Sequence, residues 1–414
     1  MDRVAGLDYG VCRSDLYFSR CPPGIAMAVA AKQGGLELAS WLCNHRVVSE
    51  RPPIRILDVR GTPEQMGAAH GAAFAEEIRH YMNKRVDLVM SGRWSGGLLQ
   101  RGDVLDIAES MLPAHAAFDV DLHVEMCALA EAAGITRAEA VVVGGFTDFV
   151  DTVRSVVGGL APATVVEDDC TAVLIPDDRT DVGGFFAQTW DMHDTATDHV
   201  LLLRVQPADA PPAIVFTTTG CVGQIGMNAE GVCVGINNLS GLDGTRGVNW
   251  TSVVRCMLKT SDADQALQVL LDADLAGAHN FLIFDRHGVG HNVEAMPSVR
   301  AVTTLADTPI VHTNHTLDQA TTAVQAEKHP VQMASSTARL HTGRNLLAEG
   351  IIDEKRLFGL TREPDAICQT ATAPFHVESS GAAVMRPATG DFWACWGRPA
   401  ENEFQHITFA DGIL

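Results

Sequence analysis

Cys170 opens an apolar, β-branched run, Cys170-Thr171-Ala172-Val173-Leu174, and three acids, Glu167, Asp168 and Asp169, stand immediately before it. Such a run reads as a buried strand that carries a nucleophile at its first residue. A thiol attacks as the thiolate and needs a base beside it. If the chain is cut just before Cys170, the new α-amino group is that base, since its ordinary pKa of about 7.7–8.0 suits work near neutral pH. Before any cut, the same thiol could attack the Asp169 carbonyl and give a thioester that water opens. Asp168 or Asp169 would then serve as a base, or simply solvate a loop. A buried structural cysteine is the competing reading of Cys170, because free Cys is among the most buried residue types.

Three more segments carry candidate chemistry. Trp190-Asp191 follows within a short β-rich stretch. Asp191 would orient the terminal amine or the neighbouring backbone, as the third member of a nucleophile–base–orienter set; a strand-end turn Asp is the alternative. Trp190 either packs the core or meets substrate. Val311-His312-Thr313-Asn314-His315 places an amide between two imidazoles. Asn314 could donate to the oxyanion of a tetrahedral intermediate, or could be a turn Asn that bonds its own backbone. Asn237, at the end of an apolar run, is a second oxyanion candidate. His312 and His315 invite a metal or Cys–His reading, yet a terminal amine removes the need for a His base, so they read as packing around Asn314. No His-Glu-x-x-His motif and no phosphate-cradling glycine loop is present, and Arg286-His287-Gly288-Val289-Gly290 reads as a hairpin turn. No metal and no cofactor are expected.

The bulk composition narrows the class. At 414 residues, 46% apolar and with a mean hydropathy of +0.08, the chain can bury a large core. A net charge of −21 argues against nucleic acid, which needs a basic face. No apolar run is long enough for a bilayer and no signal peptide is visible, so the expected place is the cytoplasm. The ten cysteines include no Cys-x-x-Cys pair and read as reduced thiols. Cys12, Cys21, Cys43 and His45 are spaced too irregularly to favour zinc over ordinary thiols.

The elements divide at Cys170. Residues 1–50 read as an extension, punctuated by Pro-Pro-Gly, Gly-Gly and Arg-Pro-Pro turns. A strand is expected at 54–59. Thr62 and Pro63 then start a helix that runs to about residue 89, with Gly67 and Gly71 on one face for close packing. Further helices are expected at 103–118, 121–133 and 137–143, with Gly134 as a stop and Thr136 as a cap. Residues 158–163 read as a loop ahead of the proposed cut. Beyond Cys170 short β runs follow at 170–175, 184–189, 199–206, 213–218, 223–227 and 232–237. Helices are expected at 250–260 and 261–272, and strands at 280–285, 289–294 and 298–303. A loop at 317–330, a helix at 335–348 and strands at 381–387, 391–397 and 404–409 complete the pattern. Strands separated by helix pairs predict packed antiparallel sheets with covering helices.

Several motifs occur in an order that resembles one family. They are Gly61-x-Pro63, Gly67-x-x-His70-Gly71, Cys170-Thr171, Trp190-Asp191, Gly226-Met227-Asn228-x-x-Gly231-Val232, Asn237 and His312-Thr313-Asn314-His315. Over about residues 54–410 the chain resembles the acyl-coenzyme A:6-aminopenicillanic acid acyltransferase family, also called the C45 cysteine peptidases. The resemblance implies an α+β fold, the four-layer αββα sandwich of amino-terminal-nucleophile hydrolases, with a largely helical N-terminal pro-segment. It implies self-cleavage between Asp169 and Cys170 into a 51–169 pro-segment and a 170–414 catalytic body; the helical segment reads as too small and apolar to leave freely, so the two are expected to stay associated. Cys170, Asp191, Asn314 and Asn237 would be catalytic, and Trp190, His312 and Ser380 would line the substrate site. Two positions depart from the family pattern. Asp169 stands where Gly is usual before the nucleophile, and Ser380 stands where the fungal acyltransferase has an Arg. The implied activity is hydrolysis of a small amide, or acyl transfer from a thioester such as an acyl-coenzyme A to an amine. An unprocessed, non-catalytic binding protein of the same fold is the other reading, and a homo-oligomer is left open.

Overall fold

Every residue from Asp169 to Ile175 is buried, so the strand that Cys170 belongs to lies between other layers instead of on a surface. The computed structural model of the chain describes residues 53–158, except Arg93, and 169–410. The expected extension at 1–50, with Cys12, Cys21, Cys43 and His45, lies outside the described residues. So do the expected loop beyond Gly158, Glu167 and Asp168.

Two sheets carry the body. The larger has eight strands in the order β1-β4-β5-β6-β7-β8-β9-β10. These are β1 (Ile56–Gly61), β4 (Val200–Pro207), β5 (Ala213–Thr218), β6 (Ile225–Asn228), β7 (Val232–Asn238), β8 (His279–Asp285), β9 (Gly290–Ala295) and β10 (Arg300–Thr304). The smaller has six, in the order β11-β2-β3-β12-β13-β14: β11 (Ile310–His312), β2 (Asp169–Ile175), β3 (Phe185–His193), β12 (Val377–Arg386), β13 (Asp391–Trp396) and β14 (Gln405–Thr408). All pairs are antiparallel except β1 with β4, which is parallel. The expectation of antiparallel sheets therefore fails at one pair. β1 enters from the N-terminal segment and reaches β4 only after a long helical excursion, a connection that parallel pairing requires.

Alternation along the strands assigns the layers. Cys170, Ala172 and Leu174 of β2 share a core with Phe186 and Trp190 of β3, and with Phe216, Met227, Cys233, Leu282 and Phe284 of the larger sheet. The intervening residues point outward. Val232, Val234 and Ile236 pack under α8 (Trp250–Met257) and α9 (Ala263–Asp272). Val173, Ile175, Phe185 and Ala187 pack under α11 (Pro330–Leu347) and α12 (Glu354–Thr361), while a short α10 (Gln319–Thr322) lies in the expected 317–330 loop. The order is helix, sheet, sheet, helix, a four-layer αββα sandwich. Each fully buried Leu or Phe contributes roughly 1.5–3 kcal/mol to holding those layers together.

Among the described residues seven helices precede Cys170: α1 (Pro63–Ala73), α2 (Ala75–Met90), α3 (Arg101–Glu109), α4 (Leu112–Phe118), α5 (Val120–Ala133), α6 (Arg137–Gly144) and α7 (Phe146–Val157). Thr62 and Gln65 form the capping box of α1, with Pro63 in its first turn. The expected single helix from 62 to 89 is broken at Phe74, whose φ of −128° is not helical. Its ring packs against two apolar clusters at once, which a continuous helix would not allow. A Cβ on Gly67 would lie 2.0 Å from the Glu125 carbonyl oxygen, so the glycine face of α1 is the condition for its contact with α5. Gly134 ends α5 in the left-handed region at φ 71°. The helix α7, buried from Phe146 to Arg154, was not expected. Its Thr/Val content is a poor helix signal, and tertiary bonds hold it instead. The Asp148 carboxylate accepts the Trp250 N–H at 2.6 Å and meets His279 Nδ1 at 2.9 Å. Among the described residues no helix is long and apolar enough to cross a membrane.

Candidate active site

Cys170 and Asp169 are neighbours, so the pleat of β2 sends their side chains to opposite faces of the smaller sheet. Cys170 faces the inter-sheet core together with Trp190, its register partner on β3. Asp169 faces outward with its own partner, Asp191, under α11. This separation divides the candidate residues into two groups.

The outward group is a buried charge cluster. Arg339 of α11 is fully buried, and its Nη2 donates to Asp169 Oδ1 at 2.8 Å. Its Nη1 donates to the Cys170 carbonyl and, at 3.3 Å, to Thr171 Oγ1. Ser335, one turn earlier, donates to Asp169 Oδ2 at 3.1 Å. One helix therefore holds the groups that flank the Asp169–Cys170 peptide, the Asp169 carboxylate on one side and the Cys170 carbonyl on the other. Burial pushes the Asp191 carboxyl up to about 8, against the opposing pull of Arg339 and of the Ser379 and Thr189 hydroxyls, and Asp169 nearby adds to the rise. The Asp191 carboxyl therefore keeps its proton near neutral pH. Thr189 Oγ1 lies 3.4 Å from Asp191 Oδ2 and accepts the Thr171 N–H at 3.2 Å. Asp191 thus bears on the backbone one residue after the nucleophile.

The second group surrounds the Cys170 amide. Its N–H donates to Asn314 Oδ1 at 2.7 Å. A donor N–H demands an acceptor, which sets the orientation of that side-chain amide; its Nδ2 then donates to the Asn238 carbonyl at 3.2 Å. The Asn314 backbone is held by Ser336 Oγ at 2.9 Å. Asn237 lies on the inter-sheet face of β7, the face on which a Cβ at Gly235 would meet Phe186 and Gln188 of the smaller sheet. Its Oδ1 accepts from Asn280 at 3.2 Å, and its Nδ2 is buried with no partner among the described residues.

The remaining candidates do not share one cavity. Trp190 packs edge-on to Phe216 with ring centroids 6.4 Å apart. Ser380 occupies the irregular step in the β12–β3 register and its Oγ lies 2.9 Å from Thr197 Oγ1. His312 is buried between Glu294 Oε1 at 2.9 Å and the Thr313 carbonyl at 2.8 Å. It lines a cavity of about 270 Å³ with Asn292, Glu294, Asp318 and Arg344, whose walls do not include Cys170, Trp190 or Ser380. His315 meets Ser336 Oγ at 2.7 Å, and burial pushes its imidazole down to about 4, so it is neutral near pH 7. Among the described residues no group of three or more His, Cys, Asp or Glu side chains could hold a metal. Sequence reasoning did not find Arg339, Ser335, Ser336 or Asn238. For the first two a signal existed: Ser335 and Arg339 sit four apart within the expected helix and so share a face.

A four-layer sandwich with a strand-opening cysteine and amide groups around its backbone N–H is the frame of an acyl-transfer enzyme. The chain belongs to the acyl-coenzyme A:6-aminopenicillanic acid acyl-transferase family, whose model matches residues 178–401. The match begins after Cys170 and includes Asp191, Asn237, Asn314 and Arg339. The 40 kDa form of the acyl-coenzyme A:6-aminopenicillanic-acid-acyltransferase of Emericella nidulans is 25% identical over 262 residues, 62% of this chain and 68% of that protein. Among solved structures, a variant of the conjugated bile acid hydrolase of Clostridium perfringens is 11% identical over 58% of this chain and 93% of its own, with a TM-score of 0.44. A Caenorhabditis elegans ortholog of N-acylethanolamine-hydrolyzing acid amidase is 13% identical over 53% of this chain and 93% of its own, at 0.38. The penicillin V acylase of Agrobacterium tumefaciens is 11% identical over 58% and 86%, at 0.35.

Proposed function

We propose that this chain is the precursor of an N-terminal-cysteine amidohydrolase or acyltransferase that cuts itself between Asp169 and Cys170. The observation that carries the reading is the setting of that peptide. Arg339 grips the Asp169 carboxylate and the Cys170 carbonyl, and Asn314 holds the Cys170 N–H at 2.7 Å. A peptide so fixed is held ready for attack by the thiol next to it.

In maturation the Cys170 sulfur adds to the Asp169 carbonyl carbon. The Asp169–Cys170 C–N bond breaks, the nitrogen gains the thiol proton, and water hydrolyses the thioester to leave an Asp169 carboxylate and a free thiol. Asp169 is an unsuitable base for this step, because its side chain is paired with Arg339 on the other face of the sheet. In turnover the new α-amino group accepts the thiol proton while the sulfur attacks the substrate carbonyl. Asn314 Oδ1, already on that nitrogen, is the amine's orienter. The buried Nδ2 of Asn237, which has no partner among the described residues, is assigned as the donor to the oxyanion, so the two asparagines divide the work that the sequence assigned first to Asn314. The leaving group takes the proton, and water or an amine then releases the acyl group from the sulfur. A small amide or an acyl thioester is the substrate class, and the two fragments stay together.

The intact denatured mass of freshly purified protein tests this. Two fragments that divide between Asp169 and Cys170, absent in Cys170→Ala, are expected. A single species at 44.3 kDa in both proteins, with no turnover of amides or thioesters, would overturn the reading.

A further inference from the structure

Four arginines are buried among the described residues: Arg85, Arg154, Arg255 and Arg339. Three of them face a carboxylate. Arg154 meets Asp151 at 3.4 Å, Arg255 meets Glu125 at 3.6 Å, and Arg339 meets Asp169 at 2.8 Å. Arg85 does not. It is 1% exposed, yet its polar partners among the described residues are the Met192 sulfur, 3.5 Å from Nη1, and the Tyr81 hydroxyl at Nη2. Its Nε has no partner there. The guanidinium lies between two aromatic faces, 4.7 Å from the Tyr81 ring centre and 4.5 Å from that of Phe146. Those faces offset part of the cost of a desolvated cation but do not neutralise it. The nearby carboxylates are already engaged. Glu77 pairs with Arg55 and His199, and Glu378, the register partner of Met192, accepts from Thr197.

The place of this cation matters. Met192 lies on the inter-sheet face of β3, one same-face step of about 7 Å beyond Trp190, which is the register partner of Cys170. Tyr81, Phe146, Trp190, Met192 and Cys170 belong to one apolar cluster. A positive charge without a counter-ion among the described residues thus stands a step or two along the strand from the nucleophile, at the end of an apolar wall.

We propose that Arg85 is the carboxylate-recognition residue of the Cys170 site, so that the substrate carries an anionic carboxylate separated from its scissile carbonyl by a short apolar spacer. The inference rests on the Cys170 reading above. The planar fork binds a carboxylate through two N–H groups, and the aromatic clamp fixes its plane. The charge is supplied by α2, so the helical segment before the cut contributes a specificity residue to the nucleophile that lies after it.

Two matched pairs of probes test the assignment. Glutaryl-p-nitroanilide against pentanoyl-p-nitroanilide puts the carboxylate on the acyl side. N-pentanoylglycine against N-pentanoylethylamine puts it on the amine side. Wild type is expected to prefer the carboxylate member of one pair by about 10- to 100-fold in kcat/KM, mostly through KM. Arg85→Met should bring that ratio close to one while turnover of the neutral member stays within about threefold. Arg85→Lys, which keeps the charge without the fork, should retain part of the preference; it decides the matter if the Met variant does not fold. No carboxylate preference in wild type, an undiminished preference in both variants, or an equal fall for both members would overturn the assignment. If wild type stays uncleaved and turns over none of the four, it is the Cys170 reading that fails. Calorimetric binding of glutarate, expected for wild type and lost in Arg85→Met, then still decides the role of Arg85, and equal binding by both would refute it.

Discussion

Asp191 shows how residue type leaves open which face a side chain takes. Its neighbourhood marks it as an orienter of the amine or the neighbouring backbone, and the pleat turns its carboxyl away from the thiol and into a cluster with Asp169 and Arg339. Burial pushes that carboxyl up to about 8. The unfolded chain releases the same proton near the ordinary value of about 3.9. Between about pH 4 and pH 8 the folded protein therefore holds a proton that the unfolded chain has lost, and this group makes stability fall as pH rises. Asp191→Asn, which stays neutral and keeps the shape, should flatten that fall. Denaturant midpoints at pH 5 and pH 8 check it: the variant should gain more on wild type at pH 8 than at pH 5. An equal offset at both pH values would mean that Asp191 is ionised in the folded protein.

At the scale of elements, the helical segment depends on close backbone approach. The glycine face of α1 lets it lie against α5, and a methyl group at Gly67 would meet backbone oxygen, which cannot move aside as a flexible side chain can. Gly67→Ala should cost about 1–3 kcal/mol, typical of overpacking, and lower the thermal midpoint accordingly. It should leave cleavage at Asp169 intact, because α1 does not touch that peptide. Wild-type stability in Gly67→Ala would show that α1 shifts on α5 at no cost. The break at Phe74 and the helix α7 belong to the same scale. In both, a side chain or carboxylate that reaches a distant element outweighs the local preference of the chain.

For the molecule as a whole, the proposed cut would divide the chain but not its core. Val86, Trp94, Phe146 and Phe149, all before Cys170, share one cluster with Phe186, Phe216, Leu282 and Phe284 after it. β1 also remains paired with β4 across the cut. After cleavage the fragments should co-elute in native size exclusion and separate only under denaturing conditions. Loss of the N-terminal fragment in native buffer would show that this shared core does not hold it, and would remove Arg85 from the mature site.

The sequence by itself determined the candidate positions for the chemistry and the kind of scaffold around them. Cys170 at a strand start, the amides at 237 and 314, the glycine face of α1 and the caps at Thr62 and Thr136 are local signals, set by residue type and short spacing. Tertiary structure alone decided which face each residue takes and which partner it meets. The two-residue pleat sends Asp169 and Asp191 to α11, away from the thiol, and only the packing of that helix brings Arg339 onto the Asp169 carboxylate and the Cys170 carbonyl. A guanidinium paired with a carboxylate and one left unpaired look alike in sequence. The difference between Arg339 and Arg85 arises from contacts between elements far apart in the chain, which no local pattern encodes.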